Sequence, residues 1–275
     1  ATPVKTSDFT WNLNFNWAAN RNTLVSLHES LDPSQPYEHD MGTTIGGRLH
    51  LYSYVGQEMY QLYGFALKRA PEGSFYTDNN GERVDCSGQV LIDATTGLPS
   101  VESTADHFLG KVNPDWKGGF GTSLRYRNLS LSALFSYQMG GHRFSVTHGI
   151  LSYQGKLTNS LEGRYDGIVA EGVNMTGTGE AATFQPNNTV TNSIYTYYQA
   201  ITLDRYNGEA HTFETSFLKW KEVRLEYALP SVFIQKTRVL QGASVAIFAT
   251  NLFSWDKWPQ FDPEGGMRTG TNVFN

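Results

Sequence analysis

Apolar and polar residues alternate along Phe9–Asn20, FTWNLNFNWAAN, near the start of the chain. The residues of one parity are aromatic or apolar, whereas those of the other are small or neutral polar, mostly asparagine. Successive side chains of a strand point to opposite faces of the sheet, so this segment predicts a two-faced strand. An aromatic face opposite an uncharged polar face is typical of a membrane barrel, with lipid outside and water inside.

Seven segments have this strand period, and the connections between them alternate in length. The predicted strands are Phe9–Asn20, Thr43–Val55, Glu58–Arg69, Trp116–Arg127, Leu129–Met139, Phe217–Leu229 and Ala243–Leu252. Outer-membrane barrels combine short periplasmic turns with long extracellular loops. We therefore predict an all-β fold, a transmembrane antiparallel β-barrel to which this chain contributes about seven strands. The long connections predicted to face the exterior are 21–42, 70–115, 148–214 and 253–275.

Residues on the apolar parity of three of these strands are predicted to face lipid. They are Phe9, Trp11, Leu13, Phe15, Trp17, Leu129, Leu131, Phe135, Val223, Leu225 and Tyr227. A single-chain bacterial barrel has an even number of at least about eight strands, and open sheet edges do not occur in lipid. We therefore expect the remaining strands to come from elsewhere in the same protein, and this chain to be a piece of it.

Composition adds further limits. The chain has 275 residues, with 13% aromatic residues, 27 glycines and only 17% charged residues, which suits a β architecture with many turns. Its net charge of −5 and the absence of a basic stripe argue against nucleic-acid binding. Apolar runs such as Val245–Ala249 are much shorter than the roughly 20 residues of a transmembrane helix. Cys86 is the only cysteine, which excludes an internal disulfide and a cysteine metal cluster.

Several short sequence motifs resemble the C-terminal barrel of SusC/RagA-type TonB-dependent transporters. FLKWKEVRLEYALP at Phe217–Pro230 is similar to a family strand, and QGASVAIFATNLFSWDKWPQFDPEGG at Gln241–Gly266 is similar to the following "NLF" strand and "DPE" loop. Val55–Lys68, Asn113–Gly141 and Phe9–Asn22 resemble earlier family strands, in the family's order. The loops 70–112 and 148–214 show no such resemblance.

The resemblance implies a plugged barrel of about 22 strands, integral to the outer membrane of Bacteroidota. It assigns residues 1–275 to the C-terminal part of the barrel domain, and it expects the plug domain and the final strand outside this chain. The implied partners are a SusD-like surface lipoprotein, the TonB complex through the N-terminal part of the protein, the remainder of the barrel and membrane lipid. No cofactor is implied.

Candidate chemistry is weak. Asp78, Asn80, Glu82 and Asp85 offer oxygen atoms that suit calcium, but their spacing does not fit an EF-hand, and a solvated turn explains them better. Asp256, Asp262 and Glu264 invite comparison with a hydrolase pair, but no second acidic cluster lies nearby in sequence. The seven histidines have no metal-binding spacing. The sequence therefore predicts no enzyme.

Aromatic residues in the predicted outer loops are the candidates for ligand or lid contact. They are Tyr195, Tyr197, Tyr198 and Tyr206 in the longest loop, and Trp255 and Trp258 in the last one. Aromatic faces present apolar area, and their polar edges form hydrogen bonds. Three roles stay open: packing within the loops or the interfacial girdle, contact with a lid protein, and direct contact with a ligand.

The sequence thus predicts energy-dependent import of oligosaccharides or peptides, with this chain forming part of the barrel of a SusCD-type transporter. Two rivals stay open. A passive porin would share the strand pattern, although the long outer loops count against it. A secreted glycan-binding β-sandwich or adhesin would have strands of about 5–6 residues, which are shorter than the predicted ones. The sequence does not decide between a glycan and a peptide substrate.

Overall fold

The computed structural model describes residues 1–39, 49–201, 207–236, 239–259 and 262–264. The chain divides into two compact units. The sheet unit consists of Ala1–Arg21, Asn113–Gly141 and Glu214–Gly265, and the loop unit contains Asn22–Val112 and His142–Phe213. The loop unit is therefore built from two long insertions between strands of the sheet unit.

The described residues form short and long strands and a few short helices. The strands are β1 (Val4–Lys5), β2 (Phe9–Ala18), β3 (Tyr37–His39), β4 (Leu49–Ser53), β5 (Gln61–Gly64), β6 (Phe75–Thr77), β7 (Arg83–Asp85), β8 (Leu91–Ile92), β9 (His107–Lys111), β10 (Pro114–Tyr126), β11 (Leu129–Gly140), β12 (His142–Phe144), β13 (Val173–Thr176), β14 (Thr183–Pro186), β15 (Thr212–Glu214), β16 (Phe217–Ala228) and β17 (Ser244–Asp256). The α-helices are α1 (Val146–Tyr153), α2 (Ile194–Ala200) and α3 (Ser231–Gln235). Short 3₁₀ helices span Thr158–Leu161, Gly179–Ala181 and Glu209–His211. No helix in these ranges is both long and apolar enough to cross a membrane.

The sheet unit is one antiparallel sheet with the strand order β1-β2-β10-β11-β16-β17. Its five long strands have 10 to 13 residues each, and about 9–11 tilted residues are enough to cross a bilayer. A tight turn at Arg127–Asn128 joins β10 to β11. Arg127 has a φ of 52°, and the Asn128 amide fixes the turn by donating to the Ala228 carbonyl at 2.8 Å.

Two predicted strands, Thr43–Val55 and Glu58–Arg69, do not belong to this sheet. Where described, they contribute β4 and β5 to a separate four-stranded sheet, of order β3-β4-β5-β9, in the loop unit. Leu51, on the apolar parity of the first segment, is 6% exposed and packs against protein. In the second segment the fully buried residue is Leu62, on the parity opposite to Tyr63 and Phe65, which are half-buried. Because a period of two does not distinguish a face covered by protein from one covered by lipid, the prediction of seven long barrel strands was wrong. The part of the chain that the structure describes supplies five long strands to one antiparallel sheet.

The loop unit has its own small cores. Ala70, Cys86, Leu91, Val173 and Phe184 form one cluster of buried residues, and Leu49 and Phe144 form another. Both helices of this unit begin at a serine that caps the backbone. The Ser145 hydroxyl accepts from the His148 amide at 3.1 Å, and the Ser193 hydroxyl accepts from the Thr196 amide at 3.2 Å. The insertions are thus folded rather than plain loops.

Candidate functional site

One face of the six-stranded sheet is aromatic and apolar from edge to edge. The pairing register places Phe15, Phe120, Phe135, Trp220 and Phe253 in one row across five strands. The rings of Phe120 and Phe135 stack with centroids 4.5 Å apart, and those of Phe135 and Trp220 are 5.4 Å apart. Phe15 is 69% exposed. Such a contiguous exposed apolar face is the kind that meets a membrane or another protein.

All the residues predicted to face lipid lie on this face by register. They are Phe9, Trp11, Leu13, Phe15 and Trp17 on β2, Leu129, Leu131 and Phe135 on β11, and Val223, Leu225 and Tyr227 on β16. On β10 the same face presents Phe120, Leu124 and Tyr126. The register thus brings together residues that lie more than 200 positions apart in sequence.

The opposite face of the sheet is mainly polar. A row of Asn12, Ser123, Ser132 and Arg224 crosses four strands, and the Asn12 amide donates to the Ser123 hydroxyl at 3.4 Å. A charged pair lies on this face of β16, where Arg224 contacts Glu226 at 2.9 Å. Charges of both signs next to hydroxyl and amide groups suit a hydrated lumen.

The predicted "DPE" segment binds this polar face. Lys219 on β16 is 4% exposed; its ammonium pairs with the Asp262 carboxylate and lies 3.4 Å from that of Glu264. Glu264 also pairs with Lys221 and accepts from the Ser136 hydroxyl at 2.8 Å. The hydrogen bond from Lys219 lowers the pKa of Asp262. A hydrolytic general acid needs a raised pKa, so these contacts favour a structural role for the segment.

The acidic turn at 78–85 is satisfied by its own backbone. Asp78 accepts from the amides of Asn80 at 2.9 Å and Glu82 at 2.8 Å. Asp85 accepts in the same way from the Ser87 amide at 2.8 Å. This is the hydrogen bonding of an Asx turn. Among the described residues, no group of three or more His, Cys, Asp or Glu side chains is placed to hold a metal ion.

The predicted aromatic candidates separate into different places. Tyr195, Tyr197 and Tyr198 lie on α2 of the loop unit. Trp255, predicted in an outer loop, lies within β17 instead, because that strand continues four residues past the predicted end at Leu252. Its register pairs it with Leu218, so it belongs to the aromatic face. Trp258 is 7% exposed and therefore buried, and Tyr206 lies outside the described residues.

Two of the α2 tyrosines, Tyr195 and Tyr198, line a cavity that the sequence did not predict, whereas Tyr197 does not line it. The cavity has a volume of about 710 Å³, and its other principal lining residues are Tyr153, Lys156, Arg164 and Tyr165. The Tyr195 hydroxyl lies 3.1 Å from that of Tyr153, and the Tyr198 hydroxyl donates to the Asn159 carbonyl at 2.8 Å. The high density of tyrosine was the one sequence feature that pointed to this region. The spacing of the tyrosines does not predict that α1 lies beside α2.

A pair of histidines, one buried and one half-buried, lies elsewhere in the loop unit. The Nδ1 atoms of His148 and His211 are 2.8 Å apart, and the rings of Phe144 and Phe213 flank the pair. His211 is 1% exposed. Burial, and then the neighbouring His148, lower the pKa of His211 to about 3. The pair is therefore neutral at physiological pH, with one nitrogen donating and the other accepting.

Comparisons with known proteins agree with the family resemblance found in the sequence. No protein-family model matches the chain. It is 24% identical over 276 residues to a protein named TonB-dependent receptor P3 from Formosa agariphila, an alignment that covers 98% of this chain and 24% of that protein. The fold resembles the RagAB peptide importer in its closed-closed and open-open states, with TM-scores of 0.58 and 0.56 at 18% identity. The resemblance to SusC/RagA-type TonB-dependent transporters is confirmed.

The likeness to SusC/RagA-type transporters extends over both units. The structural matches cover 100% of this chain and 26% of the matched RagAB chain, so the chain spans about a quarter of the length of these relatives. The loop segments 70–112 and 148–214, which contain no sequence motif of the family, therefore lie within the matched region. The observed fold is the mostly β, antiparallel fold that the family resemblance implied.

Proposed function

We propose that this chain forms part of the wall and loops of an outer-membrane β-barrel that imports nutrients with energy from the TonB complex. The observation that supports this best is the two-faced sheet of long strands, aromatic on one face and polar on the other. Lipid would contact the aromatic face, and the polar face would line the lumen. The remaining strands and the plug would come from the rest of the protein.

The placement of the connections supports an orientation. The insertions after β2 and β11 leave the same end of the antiparallel sheet, whereas the turn at Arg127–Asn128 lies at the other end. Because outer-membrane barrels place their long loops outside the cell, we assign the end with the insertions to the exterior. A SusD-like lipoprotein would then approach from that side.

The cargo would be an oligosaccharide or a peptide. RagAB, which this fold resembles, is a peptide importer, and the curated relative is a TonB-dependent receptor. The polar face of the sheet offers amide, hydroxyl and paired charged groups, which suit either kind of hydrated cargo. No catalytic role is proposed, since the candidate carboxylates of the "DPE" segment are paired with lysines.

The experiment is uptake of a labelled oligosaccharide and peptide panel by cells that carry or lack the full-length gene. Import that needs the gene and stops when TonB is deleted supports the proposal. Import that needs the gene but persists without TonB would indicate the passive porin instead. Mass spectrometry of the detergent-solubilised complex, with peptide mapping, tests the partners. A plug-bearing fragment and a SusD-like lipoprotein are expected beside this chain, whereas a lone water-soluble species would contradict the barrel.

A further inference from the structure

The cavity of the loop unit lies between the end of α1, the turn that follows it, and α2. Its volume of about 710 Å³ falls within the range of small-molecule sites. Among the described residues, four tyrosines line it, namely Tyr153, Tyr165, Tyr195 and Tyr198. Every described lining residue belongs to the loop unit.

Two of these rings are held in place by hydrogen bonds. Tyr198 is 6% exposed, and its hydroxyl donates to the Asn159 carbonyl at 2.8 Å. The Gln199 amide donates to the Tyr195 hydroxyl at 2.7 Å, although more than half of the Tyr195 surface is exposed. Held rings offer apolar faces with little loss of conformational entropy on binding. They suit a flat ligand with a partly apolar face.

A prepositioned guanidinium adds positive charge to the cavity. Arg164 donates from Nε to the Ser160 carbonyl at 2.7 Å and from Nη2 to the Gly155 carbonyl at 2.5 Å. Gly155 has a φ of +64°, a conformation that L side chains rarely adopt. These bonds fix the guanidinium plane and leave its Nη1 edge without a hydrogen bond in the described structure.

A second cation lines the same cavity. Lys156 is exposed and forms no ion pair among the described residues. No acidic side chain is among the described lining residues. Glu162 lies close enough to act electrostatically on Tyr198, but it does not line the cavity. Two cations with no counter-ion among the described lining residues favour an anionic ligand, and a guanidinium edge matches a carboxylate in geometry.

We propose that this cavity binds a uronate unit of an acidic oligosaccharide. The sugar ring would stack on Tyr195 and its neighbours, and its carboxylate would contact Lys156 and the Nη1 edge of Arg164. The inference rests on the proposed function, since it names one class of cargo for it. An acidic peptide bound by strand addition is less suited, because that mode needs an open strand edge. The cavity is instead walled by α1, α2 and a 3₁₀ helix, and no strand is among its described lining residues.

The test is isothermal titration of the full-length, detergent-solubilised transporter with tetragalacturonate. Binding should weaken as salt is raised, because salt screens the charges of exposed groups. Tyr195→Ala should abolish measurable binding by removing the stacking face. Lys156→Ala should raise the dissociation constant by about tenfold, the effect of losing one charge-assisted hydrogen bond. Lys236→Ala, which removes an exposed positive charge from the sheet unit, is the matched control and should leave binding unchanged.

Comparison ligands make the proposal falsifiable. Neutral cellotetraose should bind more weakly than tetragalacturonate by about tenfold or more, since it lacks the carboxylates. Equal binding of the two sugars, or preferred binding of tetraglutamate that responds to the same variants, would overturn the proposal. So would tetragalacturonate binding that survives Tyr195→Ala. Nutrient import without tetragalacturonate binding would overturn this inference alone, whereas binding without TonB-dependent import would count against the proposed function alone.

Discussion

At the scale of single residues, two adjacent residues of β2 are proposed to face different environments, one lipid and the other water. Phe15 lies on the aromatic face and Asn14 on the polar face. Phe15→Arg should therefore place a charge in hydrocarbon, which costs about 2–4 kcal/mol near the bilayer midplane. The folded fraction of the full-length protein in outer-membrane preparations, measured by the heat-dependent shift of its electrophoretic mobility, should fall accordingly.

Asn14→Arg is the matched control for that substitution. It adds the same charge one residue away, but on the face proposed to meet water, where an arginine keeps its hydration. The folded fraction should stay close to that of the unaltered protein. Equal loss of folded protein in both variants would contradict the assignment of the two faces.

At the scale of elements, two glycines of β10 differ in what surrounds them. A Cβ on Gly118 would lie 2.1 Å from the Asn16 carbonyl oxygen of β2, which is backbone and cannot move without shifting the strand. A Cβ on Gly121 would meet the Asn14 side-chain amide at 2.7 Å, and that amide can rotate away. Gly118→Ala should thus destabilise the protein by about 1–3 kcal/mol, measured by thermal unfolding in detergent, and Gly121→Ala by clearly less. The reverse order would mean that the pairing of β2 with β10 is wrong.

The histidine pair makes the loop unit sensitive to acid. His211 has a folded pKa of about 3 against an ordinary value of 6.5, so the unfolded state binds the proton first as the pH falls. Stability is therefore full above pH 6.5 and is lost below it, by about 2 kcal/mol between pH 6.5 and pH 5. Hydrogen-exchange protection of α1 and of Glu209–His211 should decrease at pH 5 relative to pH 7.5, after correction for intrinsic rates.

Two variants separate this effect from general acid damage. His211→Gln retains hydrogen-bonding groups but does not titrate near neutral pH, so it should flatten the pH dependence of protection. His107→Gln removes an exposed histidine of the same unit and should preserve that dependence. An unchanged pH dependence in His211→Gln would show that other groups control the acid response.

The elements differ in how well the sequence predicts them. β2, β10, β11 and β16 were predicted to within two residues at each end, because their alternation is long. It persists despite Leu134 on the polar face of β11 and a one-residue register shift at Lys221 on β16. The segments around β4 and β5 have the same alternation but lie inside the loop unit. Their correct placement depends on non-local pairing, such as that of β5 with β9. A local pattern contains no information about that pairing.

At the scale of the whole molecule, the sequence predicts the candidate site only in part. The sequence marked Tyr195, Tyr197 and Tyr198 as candidates because they are aromatic residues of a predicted outer loop, and of these Tyr195 and Tyr198 line the cavity. It did not identify Tyr153, on α1, or Arg164, which follows the 3₁₀ helix Thr158–Leu161, because only the fold brings these segments beside α2. Side chains on one strand face were predictable from the period, whereas a cavity between separate segments requires the fold.

The proposed orientation of the whole protein can be tested by cysteine labelling of intact cells. The single cysteine of this chain, Cys86, is fully buried, so labelling of this cysteine by a membrane-impermeant maleimide should be low. Glu180→Cys places an exposed thiol in the insertion between β11 and β16, and Ser231→Cys places one in the connection between β16 and β17, which leaves the opposite end of the sheet. We expect labelling at position 180 in intact cells, and labelling at 231 only after the outer membrane is permeabilised. The opposite labelling pattern would mean that the sheet has the inverse orientation in the membrane. The insertions would then not meet a surface lipoprotein, because a lipoprotein outside the cell reaches only the exterior end of the sheet.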